Sequence, residues 1–399
     1  MTTDLVTPST GAAGAAPKAA LLAPAAGFFE RRMPAWIILA SFLFVTLPVV
    51  AALIYTNSHK LLFFYIWIFS ATHFVVTFTL YLQSENLRHF TATRRNLVLF
   101  VLIPLGIFAV FYLTRVLRVA PQFPTLAIFF AAAVRILDFN HFNRQSFGVY
   151  QLFKARTGRR VAPLAKKLEN LYFISLSAML FITYLSGGLS PWIARGRFHS
   201  IGGMSFAQPL APLPYLSAAA AVCAAIAAIL LATSLLLVIR AGRSSLPTDG
   251  LRPGLWEGVV YLFFQTLSAG LAIAFLPLYT TALAIHYAEY HVLMYPRCFR
   301  SRLDLTQAVD RWYQALRGSR ALFYAVLIMI SGVVTLTTTM SGAWGRVDGV
   351  HNIPYIAIIA IFDGIFVCHY FVEMLIWRFS DPFFRKSAVS LYFAPRARA

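Results

Sequence analysis

The sequence is short of charge, and shortest of negative charge. Only 12% of its 399 residues are charged, and 14 acidic residues stand against 34 basic ones. A soluble domain carries about a quarter charged residues. With 59% hydrophobic residues and a mean hydropathy of +0.70, a water-soluble globular domain is not the expectation. Cysteine is scarce too. Cys223, Cys298 and Cys368 form no CxxC pair and no disulfide framework, which sets aside zinc ribbons, thioredoxin-like redox motifs and disulfide-stapled scaffolds. The first 30 residues lack a basic start followed by an apolar core, so no cleavable signal peptide is expected. No internal repeat of the kind that builds transporters stands out.

What is present is a series of long apolar runs. Ten read as helices, at 35–55, 61–82, 96–114, 124–152, 169–187, 215–239, 256–274, 277–296, 321–340 and 354–378, several exceeding the ~18 apolar residues that suggest a membrane helix. The expected fold is all-α: a polytopic transmembrane helical bundle of about ten spans with both termini cytoplasmic, in a bacterial inner membrane. Residues 1–30 read as a disordered Ala/Pro-rich tail, 31–380 as one transmembrane domain and 381–399 as a basic cytoplasmic tail. The fourth run is too long for a bilayer and should project beyond it. The Gly/Pro-rich loop 188–214 is expected to cap the outer surface.

Charge distribution tests this layout. With the N-terminus inside, 26 of the 34 Lys and Arg fall in inner segments and six in outer loops, the asymmetry of cytoplasmic loops. The net charge of +20 therefore reads as lipid-facing loops attracted to anionic headgroups, not as a nucleic-acid surface.

Ionisable residues inside the runs are the exceptions. TALAIHYAEYH holds His286, Glu289 and His291; FSATHFVVTF holds His73; RILDFNHFNRQ holds Asp138, His141 and, at its end, Gln145; FVCHYFVEMLIW holds His369 and Glu373. Such groups are costly in hydrocarbon and turn to a bundle interior or a cofactor. All five histidines lie on even-numbered runs, ~15–26 Å from the outer end at 1.5 Å per residue, so they can meet in one layer. The expected metal ligands are His73, His141, His286, His291 and His369. Glu289 and Glu373 are expected as ligands or proton carriers, and Asp138, Gln145 and Asp363 as supports. His291 stands ~140° round the helix from His286 and would need a bend. A buried Arg135–Asp138 pair is the plainer reading of those two residues. His59, His89, His199 and His351 read as solvated.

Imidazoles with carboxylates suit non-haem iron, zinc or copper, and open positions at iron suit oxygen activation. The leading expectation is a membrane-bound oxidoreductase acting with O2 on a lipid-soluble substrate, with an electron donor as a possible partner. Haem b between two histidines and a proton-coupled transporter are the alternatives. Separate single histidines such as His73 and His141, followed by a pair such as His286 and His291, resemble the bacterial membrane β-carotene cleavage dioxygenases of the Brp/Blh type. That resemblance implies four histidines on one iron and a carotenoid substrate. The clustered HxxHH boxes of membrane desaturases and hydroxylases are missing.

Overall fold

The computed structural model describes residues 33–47, 66–116, 124–156, 163–185, 255–274, 279–344, 353–378 and 380–392, with single positions between 200 and 236. The fold is all-α. Apart from helices, the described residues include a two-residue antiparallel ladder, β1 (Ser200–Ile201) with β2 (Met204–Ser205), inside the loop expected as a cap. The rest of that loop, the N-terminal tail, Cys223, His59, His199 and His351 lie outside the described residues, as does the side chain of Asp363.

Helix α1 is Met33–Leu47. The second run is not a uniform helix: α2 is a π-helical turn Ile66–Ala71, an α-helix Thr72–Phe78 and a 3-10 turn Thr79–Leu82. α3 is Ser84–Thr91, and α4 runs from Arg94–Leu97 through a π segment Val98–Leu102 into Ile103–Val116. The Thr93 side chain caps α4 by accepting from the Asn96 backbone N–H at 3.1 Å, satisfying one of the free donors of a first turn. α5 is Pro124–Arg156, α6 Pro163–Leu185 and α7 Leu255–Ala274. Proline opens α5 and α6 where its missing N–H costs nothing. In the expected sixth run, the described residues between 218 and 236 are helical. α8 is Tyr279–Phe299, α9 Ala308–Gly318, α10 Arg320–Trp344, α11 Ile353–Ile376 and α12 Pro382–Tyr392.

Arg94–Thr114 is long and apolar enough to cross a membrane, with mean hydropathy 2.6, yet only 11% of its most apolar stretch is buried. α9 and the Arg320–Val333 part of α10 pass the same test together but are bent by 101°. Met33–Leu47, Thr72–Leu82 and Gly364–Ile376 are shorter apolar helices. Large apolar side chains also face outward elsewhere, such as Met329 and Val333 on α10 and Phe42 on α1.

Several expectations need correction. α5 has 33 residues, ~50 Å, four residues beyond the expected end. Glu169 on α6, which was not among the expected buried ionisable residues, is buried, bonded to Lys154 and, at 2.9 Å, to Gln151 of α5. The pairing exists because two polar residues of α5 and one of α6 reach the same helix contact, where an isolated carboxylate would be costly. His89 is not solvated: its ring stacks on Phe383 at 3.9 Å and its Nε2 lies 3.5 Å from Asp381. The segment 381–399, expected as a tail, contains α12, which packs back onto α8 through buried Tyr392, whose hydroxyl donates to the Leu293 carbonyl.

Two features set the positions of the helices around the site. α4 and α11 form the most extensive helix pair, and they approach at a glycine: a Cβ on Gly364 would sit 2.6 Å from Phe108 Cδ2 and 3.1 Å from the Phe108 carbonyl oxygen. At the start of α3, buried Asp310 of α9 accepts from Ser84 N and Ser84 Oγ at 2.7 Å each and from Asp304 N at 2.6 Å. The four histidine-bearing helices then close a ring. α2 touches α8 and α11, and α5 touches the same two.

Candidate metal centre

Each side of this ring contributes an imidazole. The ring centroids of His73 (α2) and His286 (α8) are 4.7 Å apart, those of His141 (α5) and His286 4.9 Å, those of His73 and His369 (α11) 5.0 Å, and those of His141 and His369 5.3 Å. Glu373, one turn after His369, enters the same space. Its Oε2 lies 3.2 Å from His141 Nε2 and 3.6 Å from His73 Nε2. One ligand atom from each of His73, His141, His369 and Glu373 can be chosen so that all four lie within 4.8 Å of one another.

These atoms have little else to do. His73 Nδ1 and Nε2, His141 Nε2, His286 Nδ1, His369 Nε2 and Glu373 Oε2 are buried without a hydrogen-bond partner. The 3.2 Å approach of His141 to Glu373 is within ion-pair distance but outside hydrogen-bond alignment. An unsatisfied buried polar atom costs about 1–3 kcal/mol, so the layer would cost about as much as a domain's whole net stability. A cation bound by one atom each of His73, His141, His369 and Glu373 would remove that cost for four of the six atoms, leaving the second His73 nitrogen and His286 Nδ1. The donor chemistry fits one, since three imidazoles and a carboxylate suit first-row metals such as iron and zinc.

The surrounding residues orient the rings. The Phe366 carbonyl only accepts, so its contact with His369 Nδ1 places the proton there and leaves the Nε2 lone pair toward the cluster, the arrangement usual for metal-bound imidazole. Tyr370 lies against the His141 ring at 4.4 Å and donates to Asp138 Oδ1 at 2.6 Å. Asp138 Oδ2 is 3.3 Å from Arg135 Nη1. Asp138 thus makes the pair with Arg135 that was the plainer expectation and reaches His141 only through Tyr370. Tyr290 packs on the His73 ring at 4.3 Å and accepts from Thr77 at 2.9 Å.

Three expected residues fall elsewhere. His286 packs within the ring cluster, but its nitrogens are not among the four atoms that converge. His291 is turned away, as five residues of helix require, and its Nε2 lies 3.1 Å from Thr72 Oγ1. Glu289 was expected to be catalytic. It is fully buried on a different face of α8 from His291 and is cradled by amides: Gln265 Nε2 donates to Oε1 at 2.8 Å, and Gln145 Nε2 approaches Oε2 at 3.4 Å while donating to the His286 carbonyl at 2.9 Å. Gln145, expected as a support of the centre, instead holds α8 at Glu289 and at the His286 carbonyl. Sequence reading missed Gln265, Tyr370 and Tyr290. Gln265 alone had a signal, as a lone amide in an apolar run.

A cavity of about 1150 Å3 opens from the centre. His141 and Glu373 line it; His73 and His369 do not. Leu137, Phe147, Leu152, Phe371, Met374 and Trp377 supply much of its wall. The volume exceeds the few hundred to about 1000 Å3 of ordinary small-molecule pockets. Compared with family models, with curated proteins and with solved structures, the chain matches none.

Proposed function

We propose that this protein is an integral-membrane oxidoreductase that holds a non-haem metal, iron first among the candidates, through His73, His141, His369 and Glu373, and acts with O2 on a lipid-soluble substrate. The observation that carries the reading is the convergence of four buried ligand atoms within 4.8 Å, with the lone pairs of His141, His369 and Glu373 left unpartnered. The apolar exposure of Arg94–Thr114 supports the membrane. A soluble protein hides such a helix, and a lipid-facing one does not need to. With the charge asymmetry of the loops, it supports a ten-span bundle with both ends inside.

The metal, when bound, would supply a site where O2 and substrate meet at a redox-active cation. The chain supplies the rest. His369 is held in one tautomer by Phe366, Tyr370 fixes the His141 ring, and the apolar wall of the cavity seats the substrate and excludes water. The close packing of three imidazoles and Glu373 leaves no open plane between two histidines for a porphyrin, which favours non-haem metal over haem b.

The test is elemental analysis with a visible spectrum on the full chain purified in detergent. About one metal per chain, no Soret band, and loss of the metal in His369→Ala support the reading. A Soret band, or no metal retained after reconstitution under reducing conditions, overturns it.

A further inference from the structure

We infer that the cavity binds an amphiphile made of one long apolar chain and an anionic head group, the chain lying toward His141 and Glu373 and the head at a basic mouth. The site of reaction rests on the metal-centre reading above; the binding mode rests on the cavity alone. Five cations line the cavity: Arg144 of α5, Lys166 and Lys167 of α6, Arg378 just after α11, and Arg385 of α12. Among the described residues, the one carboxylate in the lining is Glu373, which belongs to the centre. None of the five cations has a carboxylate within ion-pair distance among the described residues. Arg144 donates to Asn170 Oδ1 and Arg378 to Ser380 Oγ, both neutral groups.

The order along the helices separates the two ends. On α5 the lining passes from His141 to Leu152, ~16 Å by helical rise, and from Glu373 on α11 to Arg378 just beyond its end, at most ~8 Å by the same rise. Lys166 and Lys167 of α6, Arg378 after α11 and Arg385 of α12 bring four charges from three elements to the far end of that span, where α6 begins and α12 packs, and Arg144 stands between them and the centre, one turn after His141. A head group fixed there puts chain carbons, not the head, beside the centre. A carboxylate or phosphate head would pair with these exposed cations, and a fully apolar hydrocarbon would not.

The experiment uses the full chain in neutral phosphatidylcholine nanodiscs and measures binding of palmitate, its methyl ester and lysophosphatidate. Palmitate or lysophosphatidate should bind ~10-fold or more tighter than the ester, the scale of one charge-assisted contact. Lys166→Gln/Lys167→Gln and, separately, Arg385→Gln should shrink that ratio while leaving ester binding and metal content unchanged. Preference for palmitate identifies a free acid, and preference for lysophosphatidate a lipid phosphate; either supports the inference. Equal binding of acid, phosphate and ester by the unsubstituted chain overturns it. A protein that holds no metal yet keeps the anion preference refutes the oxidoreductase reading and leaves this one standing.

Discussion

His141 Nε2 on α5 and Glu373 Oε2 on α11 lie 3.2 Å apart, 232 residues distant in sequence, buried and outside hydrogen-bond alignment. Two groups that attract a cation face each other with none between them in the chain itself. Replacing either should remove it. Glu373→Gln and His141→Ala are expected to lower metal affinity at least ~10-fold, the scale seen even for outer-layer substitutions, as read by metal content after dialysis against a weak chelator. Retention at the level of the unsubstituted protein counts against the centre.

Glu289 offers the contrast. Its oxygens are taken by Gln265 and Gln145, so Glu289→Gln is expected to keep its metal and to change stability by ~1 kcal/mol, the net worth of a neutral hydrogen bond. His291→Ala should likewise retain metal. Loss of metal in both variants would place the centre around α8.

Tyr370 holds His141 by its ring and Asp138 by its hydroxyl. Tyr370→Phe should cost ~1.5–3 kcal/mol in stability, as expected for one hydrogen bond to a charged group, with metal content preserved. Tyr370→Ala also frees the His141 ring and should weaken metal binding ~10-fold. Equal metal affinity in the two variants would show that the ring does not position His141.

Gly364 is where α4 and α11 meet. Gly364→Ala places a methyl carbon 2.6 Å from the Phe108 ring and should cost ~1–3 kcal/mol, the usual range for overpacking, seen as a lower thermal midpoint in one detergent. Phe108→Ala in the same chain should recover part of the loss, leaving the 3.1 Å contact with the Phe108 carbonyl. No loss in the single variant would mean the helices separate freely at that point.

Asp310 gathers three donors from α3 and the loop before α9. Asp310→Ala should cost ~3 kcal/mol or more, because hydrogen bonds to a charged group are worth ~1.5–3 kcal/mol each and Ser84 N would lose its partner. Faster hydrogen exchange confined to Ser84–Thr91 and Ala308–Gly318 is the accompanying signature. Exchange unchanged in both helices would show that the carboxylate does not join them.

The sequence by itself determined that the fold is all-α and which four runs carry imidazoles. Both are local facts: hydropathy over some twenty residues defines a helix, and an ionisable side chain inside an apolar run has to find an interior partner. It also set His291 ~140° round from His286, because the rotation per residue is a constant of the helix, yet His291 was still expected as a ligand. It could not tell Glu289 from Glu373, since each stands one turn after a histidine in an apolar run. Tertiary packing decided between them by setting the rotation of each helix about its axis. α8 turns Glu289 toward Gln145 and Gln265, while α11, brought close to α4 at Gly364, turns Glu373 to His141 and His73. The π turn Ile66–Ala71 just before His73 is of the same kind: its altered turn changes where the next side chains point, and no pattern in IWIFSA announced it. Convergence on one point depends on several such rotations at once, and a rotation belongs to the packed helices together.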